Sequence, residues 1–209
     1  VDADGNHTPV HLGIPGRHNV MNALAAATVA MRYGMAPETV ARILASQHTI
    51  SPHRMALSTV NREGTSFTLI DDSFNANPDS MKAGLNGLKA WNSNDGKEPF
   101  RVALLGAMLE LGADETALHT SIGTYADELG IDAIIAVGSA QDQHLDALAQ
   151  ALADGARQSQ SASVDCVHDI DAAEQLVIDL ARNHPDAVVL LKGSHASGLS
   201  ALAERWAKN

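Results

Sequence analysis

Leu69-Ile70-Asp71-Asp72-Ser73-Phe74-Asn75-Ala76-Asn77-Pro78-Asp79-Ser80-Met81 contains a strand end, a polar crest and a helix start in one short run. The apolar, β-branched residues over 66–70 stop at two carboxylates and short polar side chains, and Asn77-Pro78 then opens an amphipathic helix. Asn77 is the expected N-cap. Pro78 takes the first helical position, where its missing N–H is no loss, and Met81, Leu85 and Leu88 fall on one face. A strand that ends in a polar crest and feeds a helix N-terminus is where open α/β sheets bind ligands. The same residue types also favour an ordinary strand-to-helix turn, so residue types alone leave both readings open.

Outward from this stretch the pattern is regular. Strands are expected over 55–60 and 66–70, joined by the turn-like Asn61-Arg62-Glu63-Gly64 as a hairpin. Helix and strand signals then alternate: helices over 78–91, 114–129, 140–153, 171–182 and 197–207, strands over 100–105, 133–137, 164–167 and 187–191. Such alternation predicts an α/β fold with a mostly parallel sheet and helices on both faces. The Ser-, Gln- and Gly-rich run 155–163 is expected as an exposed loop within this domain.

Before residue 50 the pattern is purely helical. An Ala-rich helix is expected from Asn19, its cap, to Gly34, with Val20, Leu24, Ala27 and Met31 on one face. A shorter helix from Pro37 through Ala45 turns Val40, Ile43 and Leu44 inward. Two helices cannot enclose a core, so a domain boundary is expected near residues 50–54.

The chain has 209 residues, 45% of them hydrophobic, and a formal net charge of −11. That composition is globular, and the acidic balance argues against a sequence-independent grip on nucleic acid or an anionic membrane. No apolar run approaches the ~20 residues that span a bilayer, and the N-terminus has no basic-then-hydrophobic leader pattern. The single cysteine, Cys166, cannot form an internal disulfide and is expected as a buried, inert thiol, which fits a reducing cytoplasm. The chain opens at Val1 in a polar, turn-rich run, as a piece of a longer protein would.

Polar clusters follow three of the expected strands: Asp71-Asp72-Ser73, the run Gly106-Ala107-Met108-Leu109-Glu110-Leu111-Gly112, and Lys192-Gly193-Ser194-His195. Parallel strands end on one edge, so these segments are expected to converge. Lys192 and the N–H groups after it could take an anion, or could be a solvated lysine at a helix entry. Arg54 reads as a phosphate clamp or a surface arginine, and Glu110 as a functional or a solvent-facing carboxylate. The ten histidines are scattered, with no H-E-x-x-H, so no zinc site is expected. There is no G-x-x-x-x-G-K-S/T, the usual means of holding a triphosphate.

Three segments together resemble the Mur ligases, ATP-dependent amide-forming enzymes of peptidoglycan precursor synthesis. They are Gly16-Arg17-His18-Asn19-Val20-Met21-Asn22-Ala23-Leu24-Ala25-Ala26, Pro52-His53-Arg54-Met55, and the crest from Asp71 to Met81. Asp-Ser-aromatic-Asn-Ala-Asn is typical of the branch that joins D-alanyl-D-alanine to UDP-N-acetylmuramoyl-tripeptide. Gly106 to Gly112 and Lys192-Gly193-Ser194 are similar to later segments of that branch. The resemblance implies that residues 1–52 are the tail of a central ATP-binding domain and 53–209 the Mur ligase C-terminal domain. It implies a Rossmann-like sheet in the C-terminal domain and ATP as cofactor, with the P-loop and the Mg2+ ligands upstream, and no catalytic residue or metal ligand within these 209 residues. Asn19 and Asn22 are implied as adenine-side contacts, Arg54 as a phosphate contact, Asp72 as a ribose contact and Asn75 as a nucleotide-edge contact. Lys192 and Ser194 are implied to face the incoming D-alanyl-D-alanine. The full-length enzyme is expected to be a monomer, and the fragment to be inactive and to self-associate through residues 19–33.

Four positions depart from the family pattern: Ala107 stands for the usual Asp, His195 for Arg, Phe74 for Tyr and His53 for Gly. A stand-alone nucleotide- or peptide-binding module without catalysis is the competing reading, and a folylpolyglutamate synthase-like ligase the third.

Overall fold

Val188-Val189-Leu190-Leu191, buried throughout, runs near the middle of a six-stranded sheet in the computed structural model. The structure describes residues 7–13, 17–47, 53–92, 98–158 and 162–208, and of Arg17 and His18 only the backbone. The chain divides into two compact units, Val1–Pro52 and His53–Asn209.

In the first unit, helix α1 spans Arg17–Arg32 and α2 spans Pro37–Ser46. The α1 helix begins two residues before the expected cap, so Asn19 lies inside its first turn, buried, with Asn22 Nδ2 3.4 Å from its Oδ1. The expected stop holds. Gly34 has φ +88°, its N–H donates to Met31 O and the Met35 N–H to Ala30 O, the paired bonds of a Schellman cap. On α2, Val40 is buried, but Ile43 is 41% exposed instead of inward. Positions 40 and 44 stack one turn apart, and 43 lies beside that stripe.

The second unit starts with the hairpin β1 (Ala56–Arg62) and β2 (Thr65–Asp72), in register from Ala56↔Asp71 to Arg62↔Thr65. Its loop is two residues, not the expected four: Glu63 and Gly64 both have positive φ, as a type I′ turn requires. The other strands are β3 (Arg101–Gly106), β4 (Ala133–Val137), β5 (Ser163–Val167) and β6 (Val188–Lys192). The order is β1-β2-β6-β3-β4-β5, parallel except for the β1 edge.

Side chains alternate across this sheet. Ala103, Leu105, Ile134 and Leu190 pack under α3 (Pro78–Lys89), α4 (Glu115–Glu128) and α5 (Gln143–Ala156). Val102, Leu104, Ile135 and Leu191 pack under α6 (Ile170–Asn183) and α7 (Leu199–Ala207), where Phe67 meets Trp206 edge to face. Both faces are covered, as the near-continuous apolar strands predicted. The α5 helix is capped by Asp142, which accepts from the His144 and Leu145 N–H groups. It runs past the expected end, so Gly155 is helical and not part of a loop. It lies against the Thr120 backbone of α4, where a Cβ has no room. Residues 159–161 of the expected loop and 48–52 before the hairpin lie outside the described residues.

Candidate functional site

Three strand ends meet at the C-terminal edge. Asp72 closes β2 and Lys192 closes β6, directly in register, and Lys192 also pairs with Leu105 of β3. Lys192 Nζ donates to Asp72 Oδ2 at 2.6 Å and to the Asn75 carbonyl at 3.3 Å. The side chain is 1% exposed. Its stem lies against Gly84 of α3, where a Cβ would come within 2.7 Å of Lys192 Cδ. Lys192 is therefore not a solvated cation. It is a buried ammonium that needs the Asp72 charge, and the pair ties the crest to β6.

The neighbouring carboxylate is equally committed. Asp71 Oδ1 accepts from the Ser73 N–H and hydroxyl at 3.2 and 2.6 Å, and Oδ2 meets His53 Nδ1 at 2.7 Å. The Phe74 N–H donates to His53 O at 3.1 Å, so both ends of His53 are held by the crest. His53 and Met55 have φ of +60° and +50°, a left-handed backbone that costs non-glycine residues about 1 kcal/mol or more each. Arg54 projects between them, exposed, with its guanidinium carbon 4.3 Å from the centre of the Phe74 ring. The ring that stands for tyrosine serves as the platform for that cation. Asn77 caps α3 as expected, in a reciprocal capping box with Ser80. Asn75 is exposed and its Oδ1 accepts the Ala76 N–H.

The third strand end closes the group. The Ser194 N–H donates to Ala107 O at 2.8 Å, and Ser197 Oγ to Ser194 O at 2.6 Å. Gly193 lies so close to Gly106 that a Cβ there would be 3.0 Å from its Cα. Ser194 is buried, yet its hydroxyl has no hydrogen-bond partner among the described residues. His195 is exposed, its Nδ1 3.2 Å from Ser200 Oγ. Glu110 is exposed with φ +63°.

The structure thus brings Arg54, Asp72, Asn75, Lys192 and Ser194 to one edge of the second unit. Asn19 and Asn22 lie on α1 of the first unit. Sequence reasoning missed His119, which is fully buried and bonded to the loop after β3. A signal existed: His119, Ile122 and Ala126 share the inward stripe of α4. Burial lowers the His119 pKa from its ordinary 6.5, against a backbone bond and charge from Glu115 that raise it. Cys166 is a free, half-buried thiol whose pKa is raised first by burial and then by the Asp146 charge.

Among the described residues no three His, Cys, Asp or Glu are arranged to hold a metal ion, and no helix is long and apolar enough to cross a membrane. A cleft of about 240 Å³ lies at the opposite, N-terminal edge of the strands, lined by Thr59, Thr68, Trp91, Asn92 and Asp186 among others. It reaches Thr68 and Val188, a pair that lies four residues before the Asp72–Lys192 pair along the same two strands, and Asp186 is the one charged residue among the described residues that line it.

Residues 53–195, which include every strand and the whole crest, match the family "Mur ligase, glutamate ligase domain". The chain belongs to the Mur ligase family. It is similar to the UDP-N-acetylmuramoyl-tripeptide–D-alanyl-D-alanine ligase of Mycobacterium tuberculosis (strain CDC 1551 / Oshkosh), 39% identical over 201 residues, covering 93% of this chain and 39% of that one. The ligase of the same description from Mycobacterium leprae (strain TN) is 37% identical over 212 residues, covering 97% and 39%. Among solved structures, crystal structure II of MurF from Acinetobacter baumannii has a TM-score of 0.76 at 27% identity, covering 97% of this chain and 42% of that one. This Mur ligase chain therefore spans about two fifths of the length of the relatives it matches.

Proposed function

We propose that the chain is the C-terminal part of an ATP-dependent amide ligase that adds D-alanyl-D-alanine to UDP-N-acetylmuramoyl-tripeptide in peptidoglycan precursor synthesis. Residues 1–52 are then the end of a central ATP-binding domain, and 53–209 the C-terminal domain. The observation that carries the reading is the joint of the crest Asp72 to Asn77 with Lys192-Gly193-Ser194, in a chain 37–39% identical to ligases of that description.

In this reading the tripeptide carboxylate takes the γ-phosphoryl group of ATP and releases ADP, the dipeptide amine attacks the resulting acyl phosphate, and the tetrahedral intermediate loses a proton and expels phosphate to leave the amide. Such chemistry asks the protein for charge neutralisation and positioning. Arg54, exposed on the Phe74 ring, supplies a cation for phosphate. Asp72 and Asn75 face the ribose and the nucleotide edge. Ser194, whose buried hydroxyl has no partner among the described residues, faces D-alanyl-D-alanine. Lys192, whose ammonium is held by Asp72 and the Asn75 carbonyl, faces the dipeptide from beneath the crest with its one remaining N–H. Mg2+ acts with ATP, on ligands in the part of the ligase that this chain does not span. The ligase works in the cytoplasm as a monomer, on small substrates and not on nucleic acid or membrane.

Two results are expected of the 209-residue chain alone. It hydrolyses no ATP, because it has no G-x-x-x-x-G-K-S/T. Phosphate release from ATP that depends on D-alanyl-D-alanine, by this chain purified by itself, would contradict the division of labour. The α1 helix is the second case. Val20 and Leu24, one turn apart on the same stripe, are 47% and 56% exposed, apolar surface of the kind that seeks cover. In dilute solution its amides exchange faster than those of β3, and at high concentration the chain self-associates through 19–33. Protection across α1 equal to that of β3, in a chain that stays monomeric, would assign α1 to a complete core of its own.

A further inference from the structure

His119 is a titratable side chain with no exposure, and no step above uses it. Its Nε2 accepts the Met108 N–H at 2.9 Å, and its Nδ1 is 2.7 Å from the carbonyl of Glu115. A backbone N–H can only donate and a carbonyl can only accept, so the ring is the neutral imidazole with its proton on Nδ1. Met108 follows Ala107, whose carbonyl accepts the Ser194 N–H at 2.8 Å. A continuous line of hydrogen bonds therefore runs from α4, through the loop after β3, to the loop after β6. The same loop carries Glu110 in its left-handed conformation.

We propose that His119 is a positioning residue, an uncharged imidazole that fixes the loop after β3 and, through Ala107, the backbone of Ser194, and that taking up a proton releases both. The functional consequence rests on the reading of Ser194 as substrate-facing; the positioning itself does not. Protonated His119 has two N–H donors and leaves the buried Met108 N–H facing one of them, which breaks that bond. The charged groups that act on the ring are Glu115, which favours the proton, and His144, 3.3 Å from the Glu115 carboxylate, which opposes it. Burial outweighs both, so the closed loop holds its proton less readily than an open one. The closed form is then fully favoured above the ordinary value of 6.5 and loses ground as pH falls below it.

The test is amide hydrogen exchange by NMR on the 209-residue chain at about pH 7.5 and about pH 5. Wild type is expected to lose protection at Met108 and Ser194 between the two, measured against Leu104 in β3, since each pH unit below the open-state value favours opening by up to about tenfold. His119→Gln, whose amide oxygen can still accept from Met108, keeps its protection at both values. His119→Leu is unprotected at both. Wild-type protection that does not change with pH, or a Leu variant as protected as wild type, would overturn the proposal. Should the Leu variant fail to fold, the comparison of wild type with Gln decides alone. Because the readout is the loop and not ligation, failure here leaves the ligase reading to its own assay.

Discussion

Asp72→Ala lowers the unfolding free energy of the 209-residue chain by about 3 kcal/mol at pH 7, the range seen when one partner of a buried ion pair is removed. The size follows from which charge is left behind. Lys192 has a 1% exposed side chain, and without Asp72 its ammonium retains only the Asn75 carbonyl. The reverse change, Lys192→Met, leaves Asp72, whose side chain is 18% exposed and can draw on solvent, so it costs less. The double variant Asp72→Ala with Lys192→Met should recover at least about half of the Asp72→Ala loss, because the stranded charge is gone. Urea unfolding of the four proteins gives the coupling. Additive effects, or an Asp72→Ala loss under about 1 kcal/mol, would mean that the two side chains do not hold each other. The same result decides how kinetic data on Asp72 are read, since part of any loss would be structural.

Gly155→Ala should cost at least about 3 kcal/mol, at the upper end of what overpacking does. A Cβ at 155 would collide with the Thr120 carbonyl of α4, and one at Gly123 with the Leu152 carbonyl of α5. Both obstacles are backbone, so the two helices would have to part along their whole contact. Gly87→Ala is the control, for it too is helical but meets only the mobile end of Met55, at 3.3 Å. There the better helix propensity of alanine, up to about 1 kcal/mol, should make the protein no less stable. Thermal unfolding distinguishes the two substitutions, and equal shifts would refute the account of the α4–α5 contact.

The contrast between these residues shows what a sequence does and does not disclose. Apolar strands alternating with amphipathic helices made the parallel sheet legible, and the common edge of parallel strands made it legible that 72, 106 and 192 would meet. The capping box at Asn77 and Ser80 and the stop at Gly34 are local chemistry, and local chemistry is readable. The pairing of Lys192 with Asp72 is not, because the two are 120 positions apart and a lysine after a strand looks the same whether solvated or buried. Gly155 looked like a loop former because its reason for being glycine lies on another helix. Asn19 has the residue type of a cap, yet the helix starts at Arg17, before it. His119 was overlooked because a single histidine has no spacing to recognise, although its place on the inward stripe of α4 marked it as buried.

The central claim is that the crest serves the nucleotide of a ligase, and Arg54 tests it with little risk to the fold, since its guanidinium is exposed and stacks on one ring. The measurement is steady-state phosphate release from ATP by the full-length ligase, in the presence of UDP-N-acetylmuramoyl-tripeptide and D-alanyl-D-alanine, for wild type and Arg54→Ala. The account predicts turnover that requires both substrates, and a loss of at least about tenfold in kcat/KM for ATP in the variant, roughly 1.4 kcal/mol of transition-state stabilisation. Equal kinetics in the two proteins, or turnover indifferent to D-alanyl-D-alanine, would contradict it.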